Sequence, residues 1–217
     1  MNKFNLSIVL ILAVTAFAIY KSTSQEETYK SRISNIAKQI NSMNTTWRAE
    51  EPSRFANMDR ASIKGLMGAL FEATPSLKEV SEFHSFPNPA PDSFDSRTQW
   101  SKCQSISEIR DQANCGSCWA FGAAEAMSDR VCIASDQTIQ TRISTQDIMT
   151  CCTSCGQGCN GGYLGPTWSY FQNTGVVTGD LYNDKTTCQP YSLPPCAHHT
   201  TSTKYPACPP VVPTPNC

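Results

Sequence analysis

The stretch Gln112-Ala113-Asn114-Cys115-Gly116-Ser117-Cys118-Trp119 gathers in one short span the residue types that acyl transfer needs. A cysteine attacks a carbonyl carbon as its thiolate, and the positive end of a helix favours that ionised form. A helical pattern begins at Cys118 and continues through Trp119, Ala120, Phe121, Ala123, Ala124, Ala126 and Met127 to about Cys132, which sets the Cys118 sulfur at such an end. Gly116 and Ser117 are small, so a substrate backbone can come close. Gln112 precedes Cys118 by six residues and offers a side-chain amide that can join the Cys118 backbone N–H in holding a developing oxyanion. Two other uses of a Cys-x-x-Cys pair are disfavoured. A thioredoxin-like redox site needs a preceding strand in a βαβ unit, and no such pattern is found; a zinc pair is uncommon in an exported chain.

Export is expected from the N-terminus. Lys3 is followed by an apolar stretch from Leu6 to Tyr20, which includes small residues at Ala16-Phe17-Ala18, and then by a polar segment from Lys21 to Gln25. That length suits a signal-peptide core and is short for a membrane span. The expectation is a signal peptide over 1–24 and no membrane anchor after its removal. All 12 cysteines lie between Cys103 and Cys217, so in an exported chain they are read first as disulfides. A net charge of -1 across 217 residues removes the electrostatic argument for nucleic acid.

Between about Gln25 and Pro89 there is no cysteine. Ile33, Ile36, Ala37 and Ile40 fall at helical spacing, as do Ile63, Leu66, Met67 and Leu70, and two short amphipathic helices are expected. Asn44-Thr45-Thr46 is a glycosylation sequon with Asn44 as acceptor. Pro87, Pro89 and Pro91 make an extended, cleavable joint, which predicts a propeptide over 25–89 and a mature chain from Ala90. Further helices are expected over Ile143 to Thr150, begun by Ser144-Thr145-Gln146-Asp147, and over Leu164 to Asn173. From Thr186 to Cys217 frequent prolines leave a long loop pinned by cysteines.

Cys115-Gly116-Ser117-Cys118-Trp119 resembles the active-site signature of the papain family of cysteine proteases. The resemblance narrows to the cathepsin B group through Asn44-Thr45-Thr46-Trp47, Ile63-Lys64-Gly65-Leu66-Met67, Ser93-Phe94-Asp95-Ser96-Arg97 and Gly158-Cys159-Asn160-Gly161-Gly162-Tyr163. It implies an α+β, papain-like two-lobe fold, present here as the helical left lobe over 90–217, with most of the β-rich right lobe missing. Cys118 is then the nucleophile and Gln112 the oxyanion donor, while Gly116, Gly161 and Gly162 present backbone to an extended substrate. Cys188-Gln189-Pro190-Tyr191-Ser192-Leu193-Pro194-Pro195-Cys196-Ala197-His198-His199 resembles the occluding loop of that group, here 188–217. In the group the two histidines pair with a substrate's C-terminal carboxylate, so His198 and His199 imply dipeptide removal, and Asp111 helps to latch the loop. The same resemblance implies the bridges Cys103–Cys132, Cys115–Cys159, Cys151–Cys217, Cys152–Cys155 and Cys196–Cys208, with Cys118 reduced and Cys188 pairing past Cys217.

No metal and no cofactor are expected. Protein and peptide substrates, and the chain's own propeptide as inhibitor, are the expected partners of a monomer in the secretory pathway, in the lysosome or outside the cell. The family places a catalytic His and Asn well over a hundred residues after the nucleophile, and only 99 residues follow Cys118. His84, His198 and His199 do not supply the base, so the chain is expected to be a fragment, inactive as it stands. The alternative is a non-catalytic homologue that acts as an inhibitor or binding protein through its propeptide-like segment.

Overall fold

The structure is a computed structural model that describes residues 31–50, 60–72, 91–197, 202–209 and 212–217. The signal segment 1–24, the Pro87–Pro91 joint up to Ala90, and both His198 and His199 lie outside the described residues. Contacts divide the chain into Met1–Arg60 and Ala61–Cys217. A packing boundary and a processing joint are different properties, and the strap 67–72 belongs by packing to the second unit.

In the first unit a helix, α1, covers residues 31–41, with Ile33, Ala37 and Ile40 half-buried along one side. Asn41 closes its end. Its side chain accepts from the Ala49 N–H at 2.8 Å and donates to the Ala49 carbonyl at 2.9 Å, which holds the returning chain past Asn44 at φ 53°. Asn44 is exposed.

The second unit is helical: α2 (Arg60–Leu66), α3 (Ser96–Gln99), α4 (Cys118–Ala134), α5 (Thr145–Cys151) and α6 (Leu164–Asn173). Among the described residues β-structure is confined to isolated bridges, one of them between Ala69 and Gly162. Helix α4 is the axis of the unit, packed against α5 and α6. Its Ala120, Ala123 and Ala124 are buried with Trp119 and Met127 against Ile148 and Met149 of α5, because small side chains let neighbouring helices approach. Trp168 and Phe171 of α6 close the other side, edge to face at 6.2 Å. Ser144 caps α5 by accepting from the Asp147 N–H at 3.0 Å, as its sequence position predicts.

The spacing of Ile63, Leu66, Met67 and Leu70 predicts a continuous helix, and the structure corrects this. α2 ends at Leu66, and Gly68 to Glu72 lie outside any helix, with Ala69 bridged to Gly162. Gly68 and Leu70 have other partners for their backbone groups, described below, so periodicity gives way to pairing.

Candidate active site

Cys118 opens α4, unbridged and half-buried. The Gly68 N–H donates to its sulfur at 3.0 Å. On either side of that contact the strap is fastened to the rim around Gly162. The Gly162 N–H donates to the Gly68 carbonyl at 2.8 Å and the Leu70 N–H to the Gly162 carbonyl at 2.9 Å. Glu72 Oε1 accepts from the Gly165 N–H at 2.7 Å, so a carboxylate sits at the head of α6, where helix amides favour negative charge. A Cβ on Gly68 would run into the Gly116 carbonyl and come within 3.2 Å of Cys118 Sγ, so only glycine passes this close. A Cβ on Gly162 would lie 2.5 Å from the Trp119 ring, whose indole N–H donates to the Gly158 carbonyl at 3.1 Å.

Gly116, Gly161 and Gly162 therefore line the strap. The Gly116 N–H donates to the Cys159 carbonyl at 2.9 Å, and Gly161 has φ 106°. Gln112 lies on the same turn, its amide nitrogen donating one hydrogen to the Cys115 carbonyl at 2.8 Å. Asp111 Oδ1 accepts from the Ala113 N–H at 2.7 Å and so supports the left-handed turn at Ala113, φ 54°.

Five disulfides frame this surface: Cys103–Cys132, Cys115–Cys159, Cys151–Cys217, Cys152–Cys155 and Cys196–Cys208. Cys118 and Cys188 are the free cysteines, and Cys188 is exposed. The Cys115–Cys159 bridge ties the turn that leads into Cys118 to the glycine rim. Among the described residues no cluster of His, Cys, Asp or Glu is arranged to hold a metal ion.

Sequence reading missed Gly68, Glu72 and Tyr191. Gly68 is signalled by a glycine inside an otherwise helical pattern. Tyr191 is buried, and its hydroxyl lies 3.0 Å from Ser117 Oγ and donates to the Gln112 carbonyl at 2.8 Å. No local pattern signals that contact, because 74 residues separate Tyr191 from Ser117.

The arrangement is a thiol at a helix head with a peptide laid across it, paired to a glycine rim. Comparison with known proteins gives this geometry its context. The family described as papain family cysteine protease matches residues 90–210. A cathepsin B-like cysteine proteinase 6 of Caenorhabditis elegans is 44% identical over 184 residues, which cover 82% of this chain and 48% of the relative. A cathepsin B-like cysteine proteinase of Schistosoma japonicum is 46% identical over 165 residues, covering 75% of this chain and 47% of the relative. Among solved structures, a procathepsin B from Trypanosoma congolense aligns with a TM-score of 0.57 at 35% identity, covering 66% of this chain and 50% of that one. The chain thus spans about half the length of the curated relatives it matches.

Proposed function

The chain belongs to the papain family of cysteine proteases, and on that premise we propose that it forms the leading part of a cathepsin B-like peptidase precursor in which Cys118 is the nucleophile. The observation that supports this best is the Gly68 N–H on the Cys118 sulfur, at 3.0 Å, with the strap paired to Gly162. A peptide laid across a free thiol at a helix head occupies the place a substrate would take.

In the proposed reaction the Cys118 thiolate bonds to the scissile carbonyl carbon, and the carbonyl electron pair moves to oxygen. The Cys118 backbone N–H and the Gln112 amide hold that oxyanion. The C–N bond then breaks, and the amine leaves with a proton from an imidazole. Water next attacks the thioester, which releases the acid and returns the thiol. No histidine is found among the described residues. By family resemblance, the imidazole and the asparagine that orients it fall in the half of the relatives that this chain does not span.

Gly116, Gly161 and Gly162 would pair with the substrate backbone, and Asp111 would latch the loop bearing His198 and His199, which would bind a C-terminal carboxylate. The strap acts as the chain's own inhibitor until cleavage near Pro89 frees the cleft. Five disulfides suit an oxidising compartment, so the proposal includes the secretory route, with a signal segment at 1–24, delivery to the lysosome or the exterior, and a sugar on Asn44. No helix among the described residues is long and apolar enough to cross a membrane.

The test uses protein of the relatives' full length. Cys118→Ala is expected to abolish peptide hydrolysis while export continues; hydrolysis that survives the change refutes the assignment. The strap also supports a second reading, inhibition of related proteases in trans. A synthetic peptide of residues 60–72 would then slow a cathepsin B-type enzyme, and a peptide with Gly68→Val would not.

A further inference from the structure

We propose that Tyr191 is a positioning residue for the nucleophile: by holding the Ser117 hydroxyl it keeps the head of α4 uncapped and fixes the peptide plane that carries the Cys118 N–H. The inference deepens the reading of Cys118 as nucleophile and rests on it.

A tyrosine hydroxyl has one hydrogen, and Tyr191 gives it to the Gln112 carbonyl at 2.8 Å. The 3.0 Å contact with Ser117 Oγ must then run the other way, with the serine hydroxyl donating to the tyrosine oxygen. Ser117 is fully buried, so this bond decides where its hydroxyl points.

A serine at a helix head ordinarily takes an extended backbone and accepts an N–H of the first turn. Ser144 does so, at ψ 115°. Ser117 instead stands at φ −101° and ψ 12°, with no side-chain cap bond. Two consequences bear on the sulfur. The first-turn amides of α4 keep their partial positive charge for the Cys118 thiolate. The ψ of Ser117 also sets the direction of the Cys118 N–H, the proposed oxyanion donor, and such donors act only when fixed in place.

Tyr191 is itself held rigid. Its N–H donates to the Asp180 carbonyl at 2.9 Å, and its ring meets Phe121 edge-on at 4.8 Å. The Ser192 N–H and hydroxyl both donate to Gln146 Oε1 at 3.1 Å, anchoring the next residue to α5. Burial pushes the Tyr191 phenol up to about 12, with nearby Asp111 adding and the Ser117 bond opposing, so the hydroxyl stays a donor at working pH.

The test measures alkylation of Cys118 by iodoacetamide in the 217-residue chain, in which Cys188 is unbridged, at about pH 6, where an ordinary thiol is protonated. Peptide mass spectrometry follows each site, with exposed Cys188 as the internal reference. Tyr191→Phe frees Ser117 to cap α4, and the Cys118 to Cys188 rate ratio is expected to fall roughly three- to tenfold. Ser117→Ala, which cannot cap, keeps the unsubstituted ratio. Adding Ser117→Ala to Tyr191→Phe restores it, a rescue that mere loss of packing would not produce.

An unchanged ratio in Tyr191→Phe, or a double variant no faster than Tyr191→Phe alone, overturns the inference. Ser117→Ala tests the same point without touching the tyrosine, and a tenfold loss there overturns it too. If Cys118 reacts no faster than Cys188 even when Gly68→Val has lifted the strap off its sulfur, the nucleophile reading fails and takes this inference with it.

Discussion

Ser117 and Ser144 both stand at the head of a helix, yet their hydroxyls serve different ends. Ser144 accepts from the Asp147 N–H at 3.0 Å and donates to the Gln189 carbonyl at 2.6 Å, so one side chain both starts α5 and fastens the chain just before Tyr191. Removing it leaves an uncapped first turn and a carbonyl without its donor. Ser144→Ala is expected to cost about 1–2 kcal/mol of stability, read as a lowered urea midpoint with unchanged slope. Ser117→Ala deletes no helix cap, and its midpoint should fall by less. An equal loss in both variants would mean that Ser117 does support α4. The Ser144 cap is legible in sequence because Ser144 and Asp147 are three residues apart. The role of Ser117 is not, because its partner Tyr191 is brought to it only by tertiary packing.

At the scale of elements, α4, α5 and α6 follow from local pattern: apolar residues recur at helical spacing and a capping serine precedes α5. The papain-type fold and family were legible from the residues around Cys118. The strap was not. Helical spacing continues through Met67 and Leu70, but the Gly68 and Leu70 backbone groups gain partners on Gly162 that a helix would forgo. Periodicity records which residues are apolar, and cannot register a backbone partner 94 residues away.

The strap is held at three places: on the Cys118 sulfur, on Gly162 and, through Glu72, at the head of α6. Gly68→Val places a side chain against the Gly116 carbonyl, so the strap must lift. Iodoacetamide should then modify Cys118 at least several-fold faster than in the unsubstituted chain, while Cys188 keeps its rate. Glu72→Gln removes only the charge at the α6 head, worth about 0.3–1 kcal/mol, and predicts a smaller rise in the same assay. Slower modification in Gly68→Val would place the strap elsewhere in solution.

At the scale of the whole molecule, charge gathers where the segment bearing Glu108 and Arg110 meets Glu125 in the middle of α4, Arg142 just before α5 and Asp180 beyond α6. Arg142 reaches Glu108 at 2.8 Å and Asp180 at 2.6 Å, tying three separated stretches together. Arg110, its side chain 3% exposed, lies 3.4 Å from Glu108 and 3.9 Å from Glu125. Glu125 is the weaker partner of a shared arginine. Its carboxyl is pushed above the usual range, first by burial, with Glu108 and Asp129 adding and Arg110 opposing. Asp129 lies one turn further along α4 and has a buried oxygen without a hydrogen-bond partner. An acid whose value is raised in the folded state favours folding below its unfolded value, and that contribution disappears as pH rises through the folded one. Ionised Glu125 therefore opposes folding at neutral pH. Glu125→Gln keeps the shape and removes the charge, so Tm should rise at about pH 7 and stay unchanged near pH 4, where the native side chain is largely neutral. A Tm that falls at neutral pH would show that attraction to Arg110 outweighs the cost of burying the charge, reversing the order of these two effects.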